Sequence, residues 1–190
     1  NEINYYVKIT IEQCLSKRQL RERIRNKEYQ RLDNKTKLKL INKEEIDIKD
    51  NIKNPIIIKN KLDIDKETVS EKMLQRLILE DIPSFLEELG DGYSFIRNEY
   101  KIKIGDTYNY IDLLLFNIKY NCYIVVELKT AELKKEHIGQ IQIYMNYIDK
   151  HIKTINQDKT IGIIITKRDN HYYIEYSSDK RILTREYILN

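Results

Sequence analysis

The chain has 190 residues, 34 Lys and Arg against 30 Asp and Glu for a formal net charge of +4, and two cysteines. That length accommodates one sizeable domain plus an appendage. No stretch approaches the roughly 20 apolar residues that span a bilayer, the charged N-terminus lacks the apolar centre of a secretory signal, and Cys14 and Cys122 offer neither a disulfide framework nor zinc spacing.

The expected setting is reduced and cytoplasmic, without a membrane span. Asn1 in place of a methionine reads as a trimmed or processed start. Abundant Lys, Asn, Ile and Tyr match AT-rich coding, so lysine abundance carries little weight. Arginine is more informative. Five of ten arginines (Arg18, Arg21, Arg23, Arg25, Arg31) fall between Ser16 and Arg31, a window of charge +5, while the remainder sums to −1. Such a local patch is either a phosphate-binding surface or a solvated helix face.

In chain order, residues 4–33 read as two helical pieces, with Ser16 an N-cap for the second. Residues 34–66 lose the pattern and read as a connector with room for one short strand at Ile56–Ile58. From Glu67, Leu74, Leu77, Ile78, Ile82, Phe85, Leu86 and Leu89 recur at helical spacing, with Gly90 at the C-terminus and Pro83 as a kink or break. Three strands follow, over Tyr93–Ile104, Tyr108–Phe116 and Cys122–Lys129. Glu132–His151 is a second helix, Thr160–Thr166 a strand covered on both faces, Tyr172–Tyr176 a final strand and Ile182–Leu189 a tail. The expected class is α/β, in the order helix, three strands, helix, two strands around a mixed central sheet. The expected domains are a helical appendage over 1–33, the connector over 34–66 and the main domain over 67–190.

Two strands carry misplaced charge. Asp112 sits among large apolar residues in Ile111–Phe116, and Glu127 and Lys129 close the apolar run from Tyr123. Strand side chains alternate, so Glu127 and Lys129 share a face, about 7 Å apart. Charges there are costly unless paired or metal-bound. A wet sheet edge is the alternative, but the same anomaly on two neighbouring strands favours a site. Two carboxylates from adjacent strands suit Mg²⁺ or Mn²⁺, and a lysine beside them can orient or deprotonate a water, or offset phosphate charge. There is no glycine-rich phosphate loop or nucleophile elbow, and His137, His151 and His171 lack ligand spacing.

Asp112, fourteen intervening residues, then Glu127-Leu128-Lys129 resembles the PD-(D/E)XK nuclease superfamily. Phe85–Phe95, Ile111–Leu114, Cys122–Lys129, Gly139-Gln140 and Ile161–Ile164 are together similar to its YhcG-like branch, whose core resembles Holliday-junction resolvases and which carries an additional N-terminal domain. Ser16–Arg21 and Tyr29 resemble the end of that region. The resemblance implies a metal-dependent DNA endonuclease with a restriction-endonuclease-like core. It implies that Asp112, Glu127 and the Leu128 backbone carbonyl hold the metal, and that Lys129 positions the attacking water or stabilises the pentacovalent phosphate. Gln140 completes the site unless it is a helix-surface amide. A first-helix glutamate often joins such sites, here Glu88 or Glu71, a choice the motif leaves open. Ile111 replaces the usual proline before the aspartate and leaves the ligand in place. Arg18, Arg21, Arg25, Lys134 and Lys135 are the expected DNA contacts, and a homodimer without a small-molecule cofactor follows by analogy with junction resolvases. A catalytically silent DNA-binding or protein-interaction module on the same fold is the alternative.

Overall fold

A computed structural model describes residues 2–190 apart from Lys66, Asp169, Asn170 and Tyr176, with backbone alone for His171 and Tyr172. The chain divides into two units, one ending at Asn54 and the other beginning at Pro55.

The N-terminal unit holds α1 (Glu2–Glu12), α2 (Lys17–Arg25), α3 (Asn34–Asn42) and a 3-10 turn at Ile48–Asn51. Ser16 caps α2 as its sequence predicts: its Oγ accepts from the Gln19 backbone N–H, and the Gln19 side chain accepts from the Ser16 N–H. Glu28, 3% exposed, accepts from the Tyr5 hydroxyl at 2.7 Å and from Arg23 Nη1 at 3.1 Å, with Lys53 Nζ at 3.7 Å. Arg23 is therefore an internal counter-ion, whereas Arg18, Arg21 and Arg25 are exposed along α2. The connector expected over 34–66 is corrected here, because α3 and the 3-10 turn belong to this unit and the boundary falls after Asn54. Asp33 caps α3 through Thr36 N, a start signal hidden among alternating Lys and Asn.

The second unit opens with β1 (Ile56–Ile58), then α4 (Glu71–Glu80) and α5 (Ile82–Leu89). Pro83 breaks the predicted single helix in two: Asp81 ends the first piece, and its carboxylate caps the second through Ser84 N. Gly90, with φ 123, ends α5. The strands β2 (Tyr93–Ile104), β3 (Thr107–Asn117) and β4 (Cys122–Glu132) form an antiparallel meander, followed by α6 (Lys135–His151), β5 (Asp158–Arg168), α7 (His171–Glu175) and β6 (Ile182–Leu189). The six-stranded sheet runs β1-β6-β5-β4-β3-β2, with β4, β5, β6 and β1 mutually parallel.

Two further expectations are corrected. The strand predicted at Tyr172–Tyr176 is the short helix α7 as far as Glu175, Tyr176 lying outside the described residues. The tail at Ile182–Leu189 is β6, inserted between β5 and β1. Helix α6 covers one face of the sheet, burying Ile141, Tyr144, Met145 and Ile148 against Ile111, Leu114, Val125 and Ile164. Gly162 permits this approach, since a Cβ there would meet Met145 Sδ at 2.5 Å and Ile141 Cδ1 at 2.9 Å. Among the described residues no helix is long and apolar enough to cross a membrane.

Candidate active site

The site forms where β3 and β4 part company. Their ladder runs from Asn117↔Cys122 to Leu113↔Val126 and stops there. Continued by one step, it would put Asp112 opposite Glu127. Instead the Asp112 carboxylate replaces the missing ladder acceptor: Oδ2 takes the Leu128 backbone N–H at 2.8 Å. The Asp112 carbonyl, released from the ladder, accepts from Gln75 Nε2 on α4 at 3.0 Å. Both exchanges satisfy backbone groups that would otherwise be orphaned in a buried place.

Alternation along β4 sets Glu127 and Lys129 on one face, with Glu127 2% exposed. Lys129 Nζ lies 3.5 Å from Glu127 Oε2 and 3.5 Å from Glu71 Oε2, the latter from the first turn of α4. Glu127 Oε1 is buried and has no hydrogen-bond partner among the described residues. Burial, and then the charge of Asp112, push the Glu127 carboxyl up to about 8. Burial also raises Asp112, against the Leu128 N–H and the Lys129 charge that lower it. For Lys129 burial works downward, but the charges of Glu127, Glu71 and Asp112 outweigh it and hold the ammonium above its ordinary value.

Helix α6 supplies the far wall. Gln140 Nε2 donates to the Tyr144 hydroxyl at 3.0 Å. The Tyr144 hydroxyl is raised by burial and by the nearby Glu127 charge. His137 accepts the Lys134 backbone N–H through Nδ1 at 3.1 Å, and burial with the Lys129 charge lowers its pKa. Lys134 and Lys135 are exposed at the start of this helix.

The structure thus brings Asp112, Glu127 and Lys129 together and links Gln140 to Tyr144, whose hydroxyl feels the Glu127 charge. It does not bring Glu88. That carboxylate is buried and accepts from Ile57 N at 3.0 Å, anchoring β1 to α5. Of the two glutamates the motif left open, Glu71 is the one whose carboxylate lies near Lys129, at 3.5 Å from Nζ. Sequence reasoning missed Gln75 and Tyr144, because the first is an ordinary helix residue and the second fitted the apolar face of α6. The spacing of four between Gln140 and Tyr144 was the available signal. Among the described residues no three His, Cys, Asp or Glu side chains are arranged as a metal cage.

A family model described as the YhcG PDDEXK nuclease domain matches residues 49–189. A curated relative named "Putative nuclease YhcG", from Escherichia coli (strain K12), is 27% identical over 100 residues, covering 53% of this chain and 27% of that relative. The chain therefore spans only about a quarter of its length. Two solved structures are similar to part of the chain: a repair endonuclease from Pyrococcus abyssi (TM-score 0.44, 18% identity, 62% of this chain and 46% of that one) and EndoMS in a double-stranded DNA complex (TM-score 0.46, 20% identity, 62% and 44%). The sequence from residue 49 to residue 189, folded around Asp112, Glu127 and Lys129, belongs to the YhcG-type PD-(D/E)XK nuclease domain family.

Proposed function

We propose that this domain is a divalent-cation-dependent DNA endonuclease that hydrolyses backbone phosphodiester bonds. The observation that carries the reading is Glu127 Oε1, a buried carboxylate oxygen with no hydrogen-bond partner among the described residues, next to the half-buried Asp112 carboxylate and Lys129. A buried carboxylate oxygen left without a partner is costly, and a cation held there would satisfy it.

The residues suit a hard cation. Asp112 and Glu127 supply carboxylate oxygens and Leu128 a backbone carbonyl, an all-oxygen set of the kind Mg²⁺ or Mn²⁺ accepts alongside water. When bound, such an ion supplies an acidified water and positive charge for the phosphate. The chain does the rest by positioning and neutralisation. Lys129, held charged by three carboxylates, acts as a cationic donor to the water or to a phosphate oxygen rather than as a base. Glu71 orients Lys129, and Gln75 fixes the backbone of Asp112. Gln140 and Tyr144 close the helix side of the pocket.

Exposed Lys134 and Lys135, and in the N-terminal unit Arg18, Arg21 and Arg25, are the proposed phosphate contacts, so binding weakens with salt. A homodimer would present two such sites to two strands, and junction or branched DNA is the proposed substrate. The decisive measurement is a panel of single-stranded, duplex, flapped and four-way-junction DNA incubated with Mn²⁺, run beside Lys129→Ala. Wild-type cleavage that the variant lacks is the expected result. Salt-sensitive binding with no cleavage of any substrate would assign the fold to a silent DNA-binding module instead.

A further inference from the structure

We propose that the exposed face of the β2–β3 hairpin is a platform for an unpaired DNA strand, leading single-stranded nucleotides to the scissile phosphate. The inference rests on the nuclease reading above and names the form of DNA that the site receives.

The hairpin has two unlike faces. Across the register Tyr100↔Ile111, Lys101↔Tyr110, Ile102↔Asn109 and Lys103↔Tyr108, paired residues share a face and successive pairs alternate. One face is anchored: Ile102 and Ile111 are 1% and 0% exposed, and with Tyr100 and Ile104 they pack into the core beneath α6. The other carries Lys101 opposite Tyr110 and Lys103 opposite Tyr108. All four are exposed, the tyrosines at 52% and 57%. Lys101 Nζ stands 3.7 Å from the centre of the Tyr108 ring, so cation and ring form one surface.

The Lys101–Tyr108 contact adds to hairpin stability, but it leaves the Tyr110 ring and Lys103 unaccounted for. The packed face already anchors the strands, and two large rings with two ammonium groups are left in water. Their chemistry matches what a single strand presents. Lysines meet phosphates, while tyrosines offer flat faces on which bases stack whatever their identity. A duplex hides its base faces in its own stack, so rings gain little from it. Two cations with no carboxylate between them on this face make the surface complementary to a polyanion.

The platform also leads somewhere. Tyr110 is two residues from Asp112 on β3, about 7 Å along the strand. The position between Asn98↔Leu113 and Tyr100↔Ile111 sets Glu99 opposite Asp112. There Glu99 takes φ 47, the ladder is interrupted, and its charge is felt by Asp112. Basic–aromatic pairs give way to acids at that point, where strand binding ends and the cluster of Asp112, Glu127 and Lys129 begins.

The test is fluorescence anisotropy of the full chain with a labelled single-stranded oligonucleotide and with its duplex, in EDTA so that nothing is cut. The Tyr108→Ala/Tyr110→Ala double variant should weaken single-strand binding about tenfold or more, since stacking on each ring contributes on that scale, and leave duplex binding within about twofold. Tyr108→Phe/Tyr110→Phe should bind like wild type, because the ring and not the hydroxyl is used. Tyr110→Ala alone leaves the Lys101–Tyr108 pair in place and serves should the double variant fail to fold. Unchanged single-strand affinity in a folded alanine variant overturns the proposal, as does equal loss toward single strand and duplex. Cleavage with Mn²⁺ is scored separately. Wild-type protein that binds strands through these tyrosines but never cuts keeps the platform and loses the nuclease reading. Wild-type protein that cuts while its folded alanine variant still binds strands normally does the reverse.

Discussion

Glu71 Oε2 lies 3.5 Å from Lys129 Nζ, joining the first turn of α4 to the end of β4. Glu88, 17 residues further along the chain, holds no such position and instead takes the Ile57 N–H.

The two glutamates should therefore fail in different ways. Glu71→Gln should lower the cleavage rate by tenfold or more with an unchanged melting temperature, because its carboxylate is half exposed and only orients Lys129. Glu88→Ala strands a buried backbone N–H and should cost about 1–3 kcal/mol, read as a lower urea midpoint, with the rate of the folded fraction preserved. Parallel urea melts and cleavage rates on both variants check this. Normal activity in Glu71→Gln would remove that residue from the site.

Glu127 gives the apo-protein a pH signature. Its carboxyl is raised from 4.5 to about 8, so the folded chain binds a proton that the unfolded chain has released between those values. Stability without cation should then fall as pH rises from about 4.5 to about 8, by on the order of a few kcal/mol. Glu127→Gln should flatten that slope and melt higher than wild type in EDTA at pH 8. Mn²⁺ at about a hundred times its dissociation constant should stabilise the wild type by about 3 kcal/mol and leave Glu127→Gln unmoved. Scanning calorimetry across pH, with and without Mn²⁺, reads all three.

Gly162 is a packing test of the helix wall. Gly162→Ala places a Cβ 2.5 Å from Met145 Sδ and 2.9 Å from Ile141 Cδ1, both in fully buried side chains. Relief requires the Met145 and Ile141 side chains to repack, or α6 itself to shift, costing about 1–3 kcal/mol. Because α6 also carries Gln140 and Tyr144, cleavage should fall even at temperatures where the variant is fully folded. An unchanged rate would show that the helix wall is not needed for chemistry.

Local sequence determined what local physics controls. The strands expected over 93–104, 108–116 and 122–129, the apolar run over 160–166 and the Ser16 cap were legible because their apolar patterns and caps are written in neighbouring residues. The cluster of three charged residues was legible for the opposite reason: Asp112, Glu127 and Lys129 contradict the apolar strands that carry them, and charge in such surroundings advertises itself.

Other features depended on partners distant in the chain. β6 alternates poorly, with Arg185 and Glu186 in mid-strand, and becomes a strand because β5 and β1 offer ladders on both sides. β1 is three residues long and pairs with residues 187–189, a match that no local window contains. The choice of Glu71 over Glu88 was likewise invisible, since both lie on helices of the same helical pair. Only the docking of α4 against β4, set by buried Leu74, Leu77 and Ile78, turns one toward Lys129 and leaves the other to hold β1. Side-chain identity follows from sequence, but which charges meet is decided by non-local burial.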